Sequence, residues 1–233
     1  MKSKQKFFIV FLLVVLCSLL FVGYQAVNCK LQENKLREEI QQLAKLDITK
    51  DKYERKIQTT GDFAIVEKTI KNYLAEFALS TQKMAQTLQS DEVTSLLSAT
   101  NYQQDGPDFV VSYEYVQAVK KSFNIEIDKL ILACDKEEIM KSILQYQLSD
   151  YYVSLYEDLM LEDTVQSDLL EGKASLEDTK KQVNTLFDVS LEVFSFLREN
   201  SSFWKIEDNQ IMFATNELVE QYNMLISKIK NPQ

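Results

Sequence analysis

The sequence predicts an all-α protein in which an N-terminal transmembrane helix and a stalk precede an antiparallel helical bundle, with a small β-hairpin near the C-terminus. Three observations predict this class. Apolar residues recur every three or four positions through most of the chain, which is the spacing of one helix face. Glycine and proline are scarce, at 4 and 2 of 233 residues, which disfavours a turn-rich β protein. Hydrophobic residues make up 45% of the chain, enough to form a core.

The first element is an apolar run at residues 7–27 that contains no charged side chain. At 1.5 Å per residue, a helix of this length covers the hydrocarbon core of a bilayer, which is about 30 Å thick. Lys2, Lys4 and Lys6 precede the run and favour a cytoplasmic N-terminus. We therefore predict a cytoplasmic segment at residues 1–6, a single-pass signal-anchor at residues 7–27 in the cell membrane, and an extracytoplasmic remainder.

A cleaved signal peptide is the alternative to an anchor. Its apolar region is usually shorter and ends in small residues at its last and third-last positions. Here Ala26 would be last, but the bulky Tyr24 lies two positions before it. An acylated lipoprotein cysteine needs a small residue before it, and neither Cys17 nor Cys29 has one. The uncleaved anchor is therefore favoured, and we expect Cys29 neither to carry an acyl group nor to pair with a neighbouring copy.

The anchor is followed by a predicted helical stalk at residues 28–61 and a predicted bundle at residues 62–230. Leu36, Ile40 and Leu43 recur at helical spacing in the charged stalk, but three such positions are too few for a coiled coil. Asp62 is the predicted N-cap of the first bundle helix. The apolar stripes of the bundle helices are Phe63, Val66, Ile70, Tyr73 and Phe77, then Val116, Val119, Phe123, Ile127 and Leu130, then Met140, Leu144, Leu148, Tyr151, Leu155 and Leu159, then Leu176, Val183, Leu186, Val193 and Leu197, and finally Leu218, Tyr222, Leu225 and Ile229.

Turn and cap residues predict where these helices begin and end. Asn101–Asp108 is predicted to be a loop, because an Asp-Gly-Pro sequence within it has turn chemistry. Asp135 and Glu138 form a capping-box pattern that opens a fourth helix, predicted to run to Leu159. A polar stretch through Gly172 follows, and the fifth helix is predicted to begin near Ser175.

The rhythm changes between Phe203 and Phe213. Trp204 and Ile206 alternate with polar residues, as do Ile211 and Phe213, and an Asp-Asn pair separates the two runs. A period of two is typical of a half-buried strand, so this segment is predicted to be a β-hairpin that covers one end of the bundle.

Charge and composition exclude several functions. The net charge is −9, and removing three N-terminal lysines leaves −12 for the remainder, which would repel nucleic acid and anionic lipid headgroups. Histidine is absent, which excludes Ser-His-Asp catalysis and His-based zinc sites. Adjacent carboxylates such as those of Glu137 and Glu138 point about 100° apart on a helix, so they do not converge on one catalytic site. Several such pairs lie at predicted helix starts, where negative charge interacts favourably with the helix dipole. We predict no enzyme, no catalytic residues, no metal site and no cofactor.

Aromatic side chains are the best candidates for a partner or ligand surface. Aromatics at helical spacing are more often core residues, but adjacent tyrosines on one helix cannot both face the same core. The predicted surface residues are Tyr102, Phe109, Tyr113, Tyr151, Tyr152 and Trp204.

The function predicted from these features is that of a membrane-anchored extracytoplasmic helical-bundle protein. It is expected to be a protein–protein interaction or structural component of the cell envelope, held in the membrane by residues 7–27 and bound to a protein partner. The alternative is a domain that binds a small molecule or a peptide between its helices. An enzyme is the least favoured class, because no catalytic constellation is visible in the sequence.

Overall fold

The computed structural model describes residues 27–46 and 56–230. Within these ranges the chain is mostly helical, with one small two-stranded antiparallel sheet near the C-terminus, as the sequence predicts. No helix in this part of the chain combines the length and the apolar character needed to cross a bilayer. The predicted cytoplasmic segment and the predicted anchor at residues 7–27 lie outside the described residues, except for Val27.

The elements follow in order along the chain. Helix α1 occupies residues 27–43 of the described chain. The remaining helices are α2 (Asp62–Leu88), α3 (Asp91–Thr94), α4 (Ala99–Asp105), α5 (Val110–Ala133), α6 (Lys136–Leu144), α7 (Asp150–Met160) and α8 (Asp163–Glu199). A short 3₁₀ turn (Ser201–Phe203), strands β1 (Trp204–Glu207) and β2 (Gln210–Phe213), and helix α9 (Asn216–Lys230) complete the chain.

The chain divides into two compact units. Unit 1 comprises the described residues up to Leu74 together with Met140–Glu162, and unit 2 comprises residues 75–139 and 163–230. The boundaries fall inside α2 and α6, so each of these two helices contributes residues to both units. The sequence prediction instead separated a stalk at residues 28–61 from one bundle at residues 62–230.

The predicted stalk contributes to the packing of unit 1. Leu36 is fully buried and Leu43 nearly so, which accounts for their helical spacing. The helix is shorter than predicted, because it ends at residue 43 and residues 56–60 are not helical. Other buried apolar side chains of unit 1 are Phe63, Val66, Ile70, Ile143, Leu155, Tyr156, Met160 and Leu161.

Unit 2 has a continuous apolar core. Helix α8 packs along both α5 and α9. The core is rich in aromatic rings, and its buried members are Val93, Leu96, Tyr102, Phe109, Val116, Phe123, Ile127, Phe187, Val189, Val193, Phe194 and Leu197. Four of the five α8 residues in that set repeat at a spacing of three or four, which is the stripe expected of a helix that packs on a core.

The predicted loop at Asn101–Asp108 is wrong in its first half. Residues up to Asp105 belong to α4, which begins after Ser98, whose hydroxyl accepts a hydrogen bond from the amide of Asn101. Tyr102 from this turn is buried in the unit 2 core, which stabilises the helix. The Asp-Gly-Pro sequence therefore marks where a short helix ends rather than the middle of a loop.

The predicted fourth and fifth helices are also wrong in their bounds. The fourth is divided into α6 and α7 by residues 145–149, where Gln147 adopts a positive φ of 52°. Ile143 rather than Leu144 is therefore the buried residue of this turn, and Leu144 is 55% exposed. The fifth begins at Asp163 and continues through Gly172, which has open space where a side chain would lie.

The predicted hairpin is confirmed. Trp204 pairs with Phe213 and Ile206 with Ile211, and the turn residues Asp208 and Asn209 adopt φ angles of 48° and 59°. Two successive left-handed residues form the turn type that matches the twist of a tight hairpin. The side chains of Trp204, Ile206, Ile211 and Phe213 pack against the unit 2 core.

Candidate functional site

The candidate site is an open groove on the surface of unit 2, lined by α5, α8 and α9. Its volume is about 560 Å³. Four side chains provide apolar surface: Tyr113 from α5, Leu191 and Phe196 from α8, and Leu225 from α9. The remaining lining residues are Ser195 and the carboxylates of Asp188, Glu192 and Glu199, all on α8.

The start of α5, the helix that carries Tyr113, is capped by an earlier carboxylate. Phe109 precedes α5 in a left-handed conformation, with φ of 54°, and provides no side-chain cap. Asp105 provides the cap instead, since its carboxylate accepts a 2.6 Å hydrogen bond from the amide of Ser112 and a 3.3 Å bond from that of Val111. A carboxylate at a helix N-terminus also complements the helix dipole.

Polar side chains fix the register of α8 against α5. The amides of Asn124 and Asn184 exchange two hydrogen bonds, of 2.8 and 2.9 Å. One helical turn on either side, Lys180 pairs with Asp128 at 2.6 Å, and Lys120 pairs with Asp188. The reciprocal amide pair is directional, so a shift of one helix along the other would leave half-buried donors without acceptors.

The groove is negatively charged, and so is unit 2 as a whole. Unit 2 contains 12 Lys and Arg against 23 Asp and Glu, a formal charge of −11, whereas the rest of the chain contains 14 against 12. Asp188 and Glu192 each have a lysine partner, Lys120 and Lys228. Within the described residues, Glu199 has no hydrogen bond or ion pair through its carboxylate, and it is exposed.

Of the six predicted surface residues, Tyr113 is the one that lines this groove. Tyr102 and Phe109 lie in the unit 2 core, each 1% exposed, with their rings 5.9 Å apart edge to face. The hydroxyls of Tyr102 and Tyr222 are 3.0 Å apart. Burial is the main cause that raises the pKa of Tyr102 far above its usual range, and the contact with Tyr222 raises it further. Tyr102 therefore stays neutral and acts as a hydrogen-bonded core residue.

Trp204 is anchored within unit 2. Its indole N–H donates a 2.7 Å hydrogen bond to the carbonyl of Leu197, and its ring stacks on that of Phe109 with centroids 6.1 Å apart. Both contacts assign Trp204 to the packing between hairpin and core.

Tyr151 and Tyr152 belong to unit 1, where both rings pack edge to face on Phe63, at 6.2 and 5.0 Å. The Tyr151 ring is 45% exposed. Its hydroxyl donates a 2.8 Å hydrogen bond to the carboxylate of Glu33, and burial together with that carboxylate raises the pKa of Tyr151. One of the two adjacent tyrosines is thus exposed, as their spacing requires.

A buried charge cluster in unit 1 was not found from the sequence. Glu67 is fully buried, and its carboxylate accepts hydrogen bonds from the amides of Gln58 and Thr59 and from the Thr59 hydroxyl. Lys71 lies 2.8 Å from it and 2.6 Å from the carboxylate of Glu39. Burial alone would raise the pKa of Glu67, but the Lys71 hydrogen bond and the amide donors together lower it. Every partner is satisfied internally, so this cluster stabilises the fold.

The described residues contain no group of three or more His, Cys, Asp or Glu side chains arranged to hold a metal ion. Cys29 and Cys134 are free thiols, and burial raises the pKa of Cys134. The carboxylates of the groove lie on one helix face rather than facing each other across it, so they do not form the opposed pair used in general acid–base hydrolysis.

Fold and site together define a helical domain with an open, acidic and partly aromatic groove. No known protein family matches this chain, and neither a curated protein nor a solved structure matches it. Sequence reasoning singled out Tyr113 but missed Asp188, Glu192 and Glu199. The sequence does contain a signal for them, because Asp188 and Glu192 are four residues apart and therefore lie on one helix face beside an apolar stripe. Their place in a groove, however, depends on how α8 packs against α5 and α9.

Proposed function

We propose that this chain is a single-pass protein of the cell envelope whose acidic helical unit binds another protein outside the cytoplasm. The observation that carries the proposal is the groove of unit 2, which combines two aromatic rings with three carboxylates on an exposed surface. Aromatic residues with polar neighbours at the rim are typical of protein-binding surfaces.

The apolar run at residues 7–27 and the three lysines before it support the membrane attachment and its orientation. The acidic charge of unit 2 favours a protein ligand over a nucleic acid or an anionic membrane surface.

Binding of a small molecule is the second candidate. The groove volume falls within the range of ligand pockets, about 300–1,000 Å³. However, such pockets usually enclose most of their ligand, whereas this groove is open and three of its eight lining residues are acidic. An extended protein surface fits it better.

The test is crosslinking of the full-length protein in intact membranes. An epitope-tagged chain is treated with a membrane-impermeant amine-reactive crosslinker and purified under denaturing conditions. A discrete crosslinked partner protein, attached through a lysine of unit 2 such as Lys121 or Lys181, is the expected result. Both of these lysines are exposed. Crosslinks confined to unit 1, or their complete absence, would contradict the proposed function.

A further inference from the structure

We propose that the groove of unit 2 is a docking site for one basic amphipathic helix of the partner protein. This inference rests on the proposed function and specifies the chemistry of the partner. It joins three observations: the length of the groove along α8, its apolar walls, and the row of carboxylates beside them.

The length of the groove suits a helix of about three turns. Its lining residues on α8 run from Asp188 to Glu199, eleven positions apart, which at 1.5 Å per residue is about 16 Å. Tyr113 on α5 and Leu225 on α9 also line the groove, so an apolar stripe lying over α8 would contact three helices. Laying the apolar face of an amphipathic helix into such a groove is a recurrent mode of peptide recognition.

The carboxylates indicate the charge of that helix. Asp188 and Glu192 are four residues apart and Glu199 is seven further on, so all three lie on one side of α8. Arginines at a spacing of three or four on the partner would meet this row. Arginine suits the site better than lysine, because its planar guanidinium binds a carboxylate through two parallel hydrogen bonds.

The existing lysine partners do not block this exchange. The Lys120–Asp188 and Lys228–Glu192 pairs have side chains 30–54% exposed. Ion pairs of such exposure contribute only about 0–1 kcal/mol, so a partner arginine that also excludes water can replace them. The exposed carboxylate of Glu199 offers a position where no internal pair has to be broken.

The test measures binding of a designed peptide to the full-length protein in a neutral detergent. The probe is a fluorescein-labelled, amidated 15-residue helix with leucines on one face and four arginines along its flank. We expect saturable binding at micromolar concentrations that weakens as salt rises. Two control peptides, one with glutamates in place of the arginines and one with the same composition in scrambled order, should bind at least tenfold more weakly. Equal binding of the scrambled peptide would overturn the proposal, since it would reveal diffuse charge attraction.

Matched variants locate the binding surface. Glu199→Lys should weaken the arginine peptide about tenfold, and Tyr113→Ala should do so without any change in charge. Glu177→Lys is the control, because it makes the same charge change on an exposed position of α8 outside the groove. If Glu177→Lys and Glu199→Lys weaken binding equally, the groove is not the docking site. Far-ultraviolet circular dichroism of each variant identifies any loss of helical structure.

A photoreactive phenylalanine derivative incorporated in cells separates this inference from the proposed function. Placed at Tyr113, it should crosslink to a second protein, and placed at Glu177 it should not. Crosslinks to another protein from Glu177 alone would leave the proposed function standing and overturn the groove. Crosslinks from neither position nor from other exposed sites of unit 2 would overturn both. A crosslink from Tyr113 to a second copy of this chain would overturn the assignment to a separate partner.

Discussion

Replacing Glu67 is expected to destabilise unit 1 strongly. Its buried carboxylate accepts hydrogen bonds from the amides of Gln58 and Thr59, both at 2.9 Å, and from the Thr59 hydroxyl at 2.8 Å. It also lies 2.8 Å from the ammonium group of Lys71. One side chain on α2 therefore holds residues 58 and 59, which no helix or strand includes.

The magnitude follows from what Glu67→Ala would leave behind. Lys71 is 2% exposed and would lose this fully buried carboxylate, while its contact with the partly exposed carboxylate of Glu39 remains. Removing one partner of a buried ion pair typically costs about 3–5 kcal/mol, much of it the cost of the charge left behind. Two backbone amides would also lose their acceptor. We expect about 4 kcal/mol for Glu67→Ala and less for Glu67→Gln, which keeps one acceptor oxygen.

The assay is hydrogen exchange of the Gln58 and Thr59 amides in the full-length protein. Local exchange is preferable to a single melting temperature, because a chain with two compact units need not unfold in one step. Glu67→Ala should reduce the protection of both amides by about three orders of magnitude, since each factor of ten corresponds to about 1.4 kcal/mol. The exposed Glu38→Ala on α1 is the control and should leave protection unchanged. Unchanged protection in Glu67→Ala would refute this account of the cluster.

The pH dependence has a defined sign. The folded pKa of Glu67 is lowered from 4.5, so its stabilisation is fully present above pH 4.5 and is lost as pH falls through the lower folded value. The folded pKa of Lys71 is raised from 10.5, so its stabilisation is fully present below pH 10.5 and is lost as pH rises through the higher folded value. The difference in protection between wild type and Glu67→Gln should therefore shrink as pH falls below 4.5, and again as pH rises above 10.5.

Three further predictions concern unit 2 and the topology of the chain. Trp204→Ala should lower the free energy of unfolding by about 3 kcal/mol, and Trp204→Phe should lower it by less. The tryptophan emission of the native protein should be blue-shifted and poorly quenched by acrylamide. Red, freely quenched emission would contradict the packing of the hairpin. Gly106→Ala should destabilise, because the added Cβ would collide with the backbone oxygen of Tyr102 and lie 2.9 Å from the Trp204 ring. Its matched control Gly172→Ala should instead stabilise α8 by up to about 1 kcal/mol in thermal unfolding, since nothing lies within 4 Å of the new atom. A reporter fused after Gln233 should be active only outside the cytoplasm, and cytoplasmic activity would contradict the predicted orientation.

The hairpin and the capped helices could be predicted because their signals are local. Period-two alternation around an Asp-Asn pair specifies a tight hairpin without reference to the rest of the molecule. The pattern at Asp135 likewise predicts the start of a helix, and its carboxylate accepts a 3.0 Å hydrogen bond from the amide of Glu137. Such elements depend on neighbours within a few residues.

The misplaced boundaries arise where tertiary packing outweighs local preference. Gly172 suggested a helix end, yet one glycine costs a helix only about 1 kcal/mol, and the 37-residue α8 gains more from burying its apolar stripe. The interruption between α6 and α7 at Gln147 contains no glycine or proline that would have predicted it from the sequence. The groove was missed for the same reason, since its carboxylates gain a shared role only when α5 and α9 lie beside α8.

Contacts between aromatic rings connect the hairpin to the groove within unit 2. Phe196 lines the groove, and its ring lies 6.0 Å from that of Phe213 on β2. The ring of Phe213 in turn lies 5.3 Å from that of Tyr222 on α9, the helix that supplies Leu225 to the groove. Because Trp204 on β1 pairs with Phe213 on β2, we expect a substitution that loosens Trp204 to disturb the packing behind Phe196 and α9 as well. Ring contacts of the hairpin therefore support two of the helices that line the groove.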